Sequence, residues 1–180
     1  MRGAALMAAA ALFLFAGGEA RAQIAPGFRA PASIVDGIDH AWGFACFLAA
    51  AGRPVAGLNI GMEQAGEGLH RPGRIPDDLA PLAKRLDGYS VVVLDAPGGG
   101  VWIFHSVREK RCVIVPYPLD TPGVAEAAPA MFAGFRNVKP VEGRPGVYAF
   151  DVPGAPRLEF HYQPAGDGLP QMIVTEQKKK

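Results

Sequence analysis

The chain has 180 residues, of which 49% are hydrophobic and 19% are charged, and its formal net charge is +1. This composition is typical of a globular protein with a hydrophobic core. Nucleic-acid binding requires a basic surface that a near-neutral chain does not supply, so we expect no nucleic-acid partner. The one basic run is Lys178-Lys179-Lys180, which we assign to a disordered tail at residues 177–180.

The N-terminus has the three parts of a secretory signal. Basic Arg2 comes first, an apolar run from Ala4 to Phe15 follows, and Ala20-Arg21-Ala22 fits the small-x-small cleavage pattern. The apolar run has about 12 residues, whereas a membrane span needs about 20. We therefore predict a signal peptide at residues 1–22, no stable membrane anchor after its cleavage, and a periplasmic or extracellular mature protein.

The chain contains two cysteines, Cys46 and Cys112. In an exported protein such a pair favours a disulfide, and a Cys-x-x-Cys motif of the kind used in redox or metal sites is absent from the sequence. Closing a loop of about 67 residues stabilises the folded state by roughly 4 kcal/mol in the chain-entropy model. We predict a Cys46–Cys112 disulfide between a helix and a strand.

The helix that carries Cys46 has clear start and stop signals. Ser33 is suited to cap its N-terminus, with Asp36 three residues later, and Gly52 is suited to end it. The apolar stripe has the spacing of a mostly buried helix. Its members are Ile34, Ile38, Trp42, Ala45 and Ala49.

Three further segments are less regular. Residues 53–76 contain five glycines and read as a long loop, either functional or mobile. Asp77 or Asp78 is suited to cap a short second helix that Asp87-Gly88 ends. Thr121-Pro122 predicts the start of a third helix, which Pro129 would kink or break.

The remaining elements read as six strands in two groups of three. The first group covers residues 89–94, 101–107 and 111–115, with turns at residues 97–100 and 108–110. The second covers residues 147–152, 157–162 and 171–175. Residues 23–176 are therefore predicted to form one α+β domain, with about six antiparallel strands packed against two to three helices. The spacing leaves open whether the strands share one sheet.

The chemistry-bearing residues form no catalytic pattern in the sequence. The histidines His40, His70, His105 and His161 show no metal-binding spacing, and no serine lies in a nucleophile elbow. We expect His105 to be a hydrogen-bonded core histidine, and His161 to share a wet strand face with Arg157 and Glu159. We accordingly assign no catalytic residue, no metal and no cofactor.

Four residues are the candidates for binding a ligand or partner. His70, Arg71 and Arg74 lie in the long loop, where they could receive an anion, and Trp102 lies on a strand face that could form an apolar patch. The first hypothesis is an exported, non-catalytic module that binds an envelope protein or a small apolar ligand. The alternative is a hydrolase or metal-binding protein whose histidines converge only in the folded state.

Overall fold

The computed structural model describes residues 30–53, 69–126, 136–151, 155–164 and 169–177. The predicted signal peptide and the three C-terminal lysines lie outside these residues, as do residues 54–68 of the long loop. The helical elements are α1 (Ile34–Ala41), a π turn (Trp42–Cys46), α2 (Phe47–Ala50), a 3-10 turn (Asp77–Leu79) and α3 (Ala80–Arg85). The strands are β1 (Leu69–His70), β2 (Ser90–Ala96), β3 (Gly99–Ser106), β4 (Arg111–Tyr117), β5 (Arg136–Pro140), β6 (Val147–Asp151), β7 (Leu158–Gln163) and β8 (Gln171–Glu176).

Within the described residues, eight strands form one antiparallel sheet in the order β1-β2-β3-β4-β8-β7-β6-β5. The two predicted groups of three strands are β2-β3-β4 and β6-β7-β8, and the pairing of β4 with β8 joins them. The prediction of about six strands was two short. The additional strands, β1 and β5, lie at the two edges of the sheet. The fold is thus mostly a β-sheet with a few short helices.

The first helix packs on one face of the sheet and has the predicted ends. The Ser33 hydroxyl accepts a hydrogen bond from the Asp36 amide at 3.1 Å, which satisfies one of the free N–H groups of the first turn. Gly52 has a φ of 75° at the other end. Its amide donates to Ala49 and the Arg53 amide donates to Leu48, which is the Schellman pattern of helix termination. All five residues of the predicted apolar stripe are buried.

This helix is not α-helical throughout. A π turn lies at Trp42–Cys46, where the Phe47 amide donates to the Trp42 carbonyl five residues earlier. Cys46 is the last residue of that turn and forms the predicted disulfide with Cys112 of β4, with a Cα–Cα distance of 5.0 Å. Both cysteines are fully buried. The disulfide therefore fastens the helix to a central strand inside the core.

The opposite face of the sheet is covered by α3 in the β2-β3-β4 half. Leu79, Leu82 and Leu86 pack there against a second core cluster, which includes Trp102 and Phe104 of β3. The prediction that Asp77 or Asp78 caps this helix was wrong. The 3-10 turn begins after Pro76 and has no side-chain cap, and Asp77 instead pairs with Arg74.

Two other local predictions need correction. Gly99 and Gly100 belong to β3, so the first hairpin turn is Pro97-Gly98 alone, with Gly98 at a φ of 86°. Thr121 does not lie at the start of a helix, and its hydroxyl donates to the Pro118 carbonyl at 2.6 Å. Helical residues begin at 124, and the rest of the predicted third helix, residues 127–135, lies outside the described residues.

The disulfide gives a direct stability prediction. Because it links residues 66 positions apart, replacing both cysteines with alanine is expected to lower the free energy of unfolding by about 4 kcal/mol. Urea denaturation of the oxidised protein and of the Cys46→Ala/Cys112→Ala variant measures the difference. Equal unfolding midpoints with equal slopes would show that the bond does not constrain the chain.

Candidate functional site

The four residues predicted to bind a ligand have different surroundings in the structure. Nδ1 of His70 lies 3.4 Å from the Asp95 carboxylate, and the Arg74 guanidinium lies 2.9 Å from Asp77, so each of these two cations has its own acidic neighbour. Arg71 is exposed and forms no ion pair with any residue that the structure describes. The loop histidine and arginines therefore do not form one anion site.

The expectation for Trp102 also needs correction. Its side chain is only 7% exposed, and its ring packs edge-to-face with Tyr117 at a centroid distance of 6.5 Å. The α3 leucines cover this side of β3, so Trp102 belongs to the second core cluster and cannot form an exposed apolar patch.

An open cleft lies instead at the N-terminus of α1. Its volume is about 380 Å³, which falls in the range of small-molecule sites. Three segments far apart in the sequence form it: the start of α1, the β2–β3 turn and the loop after β4. The lining residues are Ser33, Ile34, Val35, Pro97, Gly98, Pro118, Asp120, Thr121 and Pro122.

The walls of the cleft are mainly apolar, and its polar side chains have different roles. The Ser33 hydroxyl is engaged as the helix cap, and the Thr121 hydroxyl donates to the Pro118 carbonyl. Asp120 is exposed and has no ion pair with any part of the chain that the structure describes. Asp120 is therefore the charged group that the cleft offers to a ligand.

A second polar cluster lies on the sheet face opposite α1, at strand β7. Glu159 is only 8% exposed, and its carboxylate accepts a hydrogen bond from the Arg144 guanidinium at 2.5 Å. The expected wet face of β7 is thus partly buried. Arg157 pairs with Asp151 rather than with Glu159, and burial followed by the charge of Arg144 lowers the pKa of His161.

The histidines do not converge among the described residues. His105 is buried on β3, His161 lies on β7, His70 lies on the edge strand β1, and His40 lies on α1, with its Nε2 3.8 Å from Asp36. No group of three histidine, cysteine, aspartate or glutamate side chains in the described ranges could hold a metal ion. The geometry of these residues therefore supplies no support for the hydrolase or metal-binding alternative.

His105 is buried, as the strand pattern predicted, but one expected contact is missing. Its Nε2 atom has no hydrogen-bond partner. Burial, and then the nearby charge of Arg71, lowers its pKa from the ordinary value of 6.5.

A separate hydrogen bond lies at the end of β3, where the Tyr89 hydroxyl donates to Glu109 at 2.6 Å. Burial and this bond raise the pKa of Tyr89 to about 12.

Comparison of the chain with models of known protein families, with curated proteins and with solved structures found no match. No helix among the described residues has the length and hydrophobicity to cross a membrane.

Sequence reasoning missed both the cleft and the Arg144–Glu159 pair. The only signals for the cleft were proline and glycine residues, each of which had a sufficient local explanation as a turn or a helix cap. For the second feature, Arg144 lies in a turn 15 residues before Glu159. No local pattern indicates such a contact.

The Arg144–Glu159 pair is predicted to contribute more stability than a comparable surface pair. Arg144→Met leaves a nearly buried carboxylate without its partner, so we expect a loss of about 1–3 kcal/mol in the free energy of unfolding. Arg157→Met is the matched control, because both partners of its ion pair are partly exposed, and it should cost about 0.2–1 kcal/mol. Urea denaturation measures both, and equal losses would contradict the prediction.

Stability is also predicted to fall on mild acidification. The pKa values of His105 and His161 are lowered in the folded state, so the unfolded chain binds protons more readily. The free energy of unfolding should therefore be fully retained above the ordinary histidine pKa of 6.5 and should decrease as the pH falls below it.

Urea denaturation between pH about 7.5 and about 5.5 tests this, because carboxylates titrate mostly below that window. His105→Gln should reduce the pH dependence more than His161→Gln, because His105 is the more deeply buried. An unchanged pH dependence in the double variant would rule out this assignment.

Proposed function

We propose that this protein is an exported, non-catalytic module that binds a small apolar ligand in the cleft at the N-terminus of α1. The observation that carries the proposal is the cleft itself: about 380 Å³ of open space with mainly apolar walls and one unpaired carboxylate, Asp120. Most ligand sites combine an apolar body with a few polar groups that orient the ligand. The cleft has this composition.

The walls of the cleft are held in place by the backbone. Pro97, Pro118 and Pro122 have rings that fix φ and lose almost no side-chain entropy when a ligand binds. The Thr121 amide and hydroxyl both donate to the Pro118 carbonyl, which closes the loop after β4 on itself. Such a preorganised surface lowers the entropic cost of binding.

Asp120 favours a particular class of ligand. A carboxylate at the rim of an apolar cleft pairs best with a positively charged hydrogen-bond donor. We therefore expect an apolar molecule that carries an amine, with its apolar body against the proline rings and Val35 and its ammonium group on Asp120.

Export is part of the same proposal and rests on two supports. The N-terminal sequence has the pattern of a signal peptide, and the buried disulfide is the kind of bond that persists in oxidising compartments. A side chain of a neighbouring envelope protein is also compatible with the cleft. We favour a small molecule, because a whole small molecule fits the volume of the cleft.

The test uses protein recovered after export, first weighed intact to check that it begins at Gln23. Phenethylamine and its uncharged counterpart phenethyl alcohol are then titrated and followed by NMR. We expect both to shift resonances of the cleft residues. Asp120→Asn should weaken amine binding about two- to fivefold, because this is the change in affinity that corresponds to the loss of one exposed ion pair. It should leave alcohol binding unchanged.

Asp39→Asn is the matched control, because it removes the same charge from an exposed position of α1 outside the cleft. Val35→Glu should abolish binding of the alcohol by placing a charge on the apolar wall. The proposal is wrong if neither probe shifts the cleft resonances, or if Asp39→Asn weakens amine binding as much as Asp120→Asn does.

A further inference from the structure

The chain enters the described part of the structure at the edge of the cleft. Pro31 is buried, and its ring lies beside α1, where a Cβ added to Gly37 would lie 3.6 Å from the Pro31 Cβ. The Ala32 amide donates to the Asp36 carboxylate at 2.7 Å. The next residue, Ser33, is part of the cleft wall. The contacts of Pro31 and Ala32 therefore fix, beside the cleft, the point from which the preceding chain extends.

The segment before this point is short and mostly apolar. We call residues 23–29, which follow the predicted cleavage site and have the sequence QIAPGFR, the N-terminal arm. Its apolar residues are Ile24, Ala25, Pro26 and Phe28. Phe28 is the largest of them and the nearest to Ser33 along the chain. The five residues from Phe28 to Ser33 span at most about 17 Å, so the walls of the cleft lie within reach of this side chain.

The walls of the cleft suit an aromatic ring. They consist mainly of proline rings and the half-buried side chain of Val35, with the carboxylate of Asp120 as the charged group. An aromatic side chain removes more apolar surface from water than the other apolar residues of the arm when it packs on such walls. The short connection to Ser33 also keeps the entropic cost of closing the chain onto the cleft low. Of the arm residues, Phe28 therefore fits the cleft best.

We propose that the Phe28 side chain occupies the apolar part of the cleft when no ligand is bound, so that the protein carries its own competitor. This inference rests on the proposed function, since both concern the same cleft. The phenyl ring packs against Val35 and the proline rings and leaves Asp120 free. An apolar molecule that carries an amine replaces the contacts of the ring and gains the ion pair with Asp120 in addition.

The arm lowers the affinity of the cleft without changing its preference among ligands. Phe28 competes equally with every molecule that binds to the apolar walls, so each apparent affinity falls in proportion to the fraction of molecules whose cleft is open. Asp120, by contrast, affects only ligands with a positive charge. The contributions of Phe28 and Asp120 are therefore separable by experiment.

NMR of the full mature protein tests the contact directly. We expect nuclear Overhauser effects between the ring protons of Phe28 and the methyl groups of Val35. Saturating phenethylamine should abolish them, because the ligand displaces the ring from the cleft.

The variant Phe28→Ser tests the competition. It should raise the affinity for phenethylamine and for phenethyl alcohol by the same factor, about fivefold if the ring fills the cleft in about four of every five molecules. This pattern differs from that of Asp120→Asn, which is expected to change amine binding alone. Titrations followed by the resonances of the cleft residues measure both affinities.

Ile24→Ser is the matched control, because it removes an apolar side chain from the same arm at a position farther from the cleft. We expect it to leave both affinities unchanged. An increase as large as that of Phe28→Ser would overturn the assignment of the competing side chain to Phe28.

Failure of this inference is distinguishable from failure of the proposed function. Equal affinities of the wild type and Phe28→Ser for the two probes, or the absence of Phe28–Val35 contacts in the free protein, would overturn the inference and leave the ligand site standing. Phe28–Val35 contacts in a protein whose cleft binds neither probe, with or without Phe28, would support the arm contact and overturn the small-molecule function.

Discussion

The pairing of β4 with β8 is the contact on which the rest of this structure depends. It joins two four-stranded halves of the sheet, β1 to β4 and β5 to β8, and its paired residues, such as Cys112 and Val174, are far apart in the sequence. It also makes β4 an interior strand of the sheet, and because helices cover both faces of this strand, residues from Cys112 to Val115 are all fully buried. The disulfide then attaches α1 and its π turn to this same strand. One strand therefore connects the two halves of the sheet and the helix above it.

Apart from the disulfide, for which the two cysteines of the chain allow only one pairing, the features that were predictable from the sequence are those determined by neighbouring residues. The Ser33 cap and the Gly52 terminus are each completed within one or two turns of helix, and the hairpins within a few residues. The two edge strands escaped prediction. β1 has only two residues, and β5 contains a register shift and Asn137 at a φ of 56°, so neither shows the alternation of a regular strand. Strand order depends on contacts between distant segments, which local patterns do not record.

The candidate sites were harder to predict than the fold, because residue type alone does not reveal whether a side chain already has a partner. His70 and Arg74 were selected as free cations, yet Asp95 and Asp77 lie beside them. Trp102 was selected as an exposed aromatic, yet α3 covers the second face of β3. Arg71 is exposed and has no ion pair with any described residue, and the fold brings its charge near His105 of β3, which is 34 residues away in the sequence.

Strand β3 provides a rigid support for the cleft. The strand is buried on both faces from Gly100 to Ser106, so its ends are held roughly 20 Å apart with little freedom. At the cleft end, a Cβ on Gly99 would overlap the carbonyl oxygen of Tyr117, so the absence of a side chain lets the β2–β3 turn lie directly against the loop after β4. These are two of the three segments that form the cleft. Because their approach is set by backbone contact rather than by flexible side chains, the cleft is formed before any ligand arrives, and ligand binding does not have to supply the free energy of ordering it.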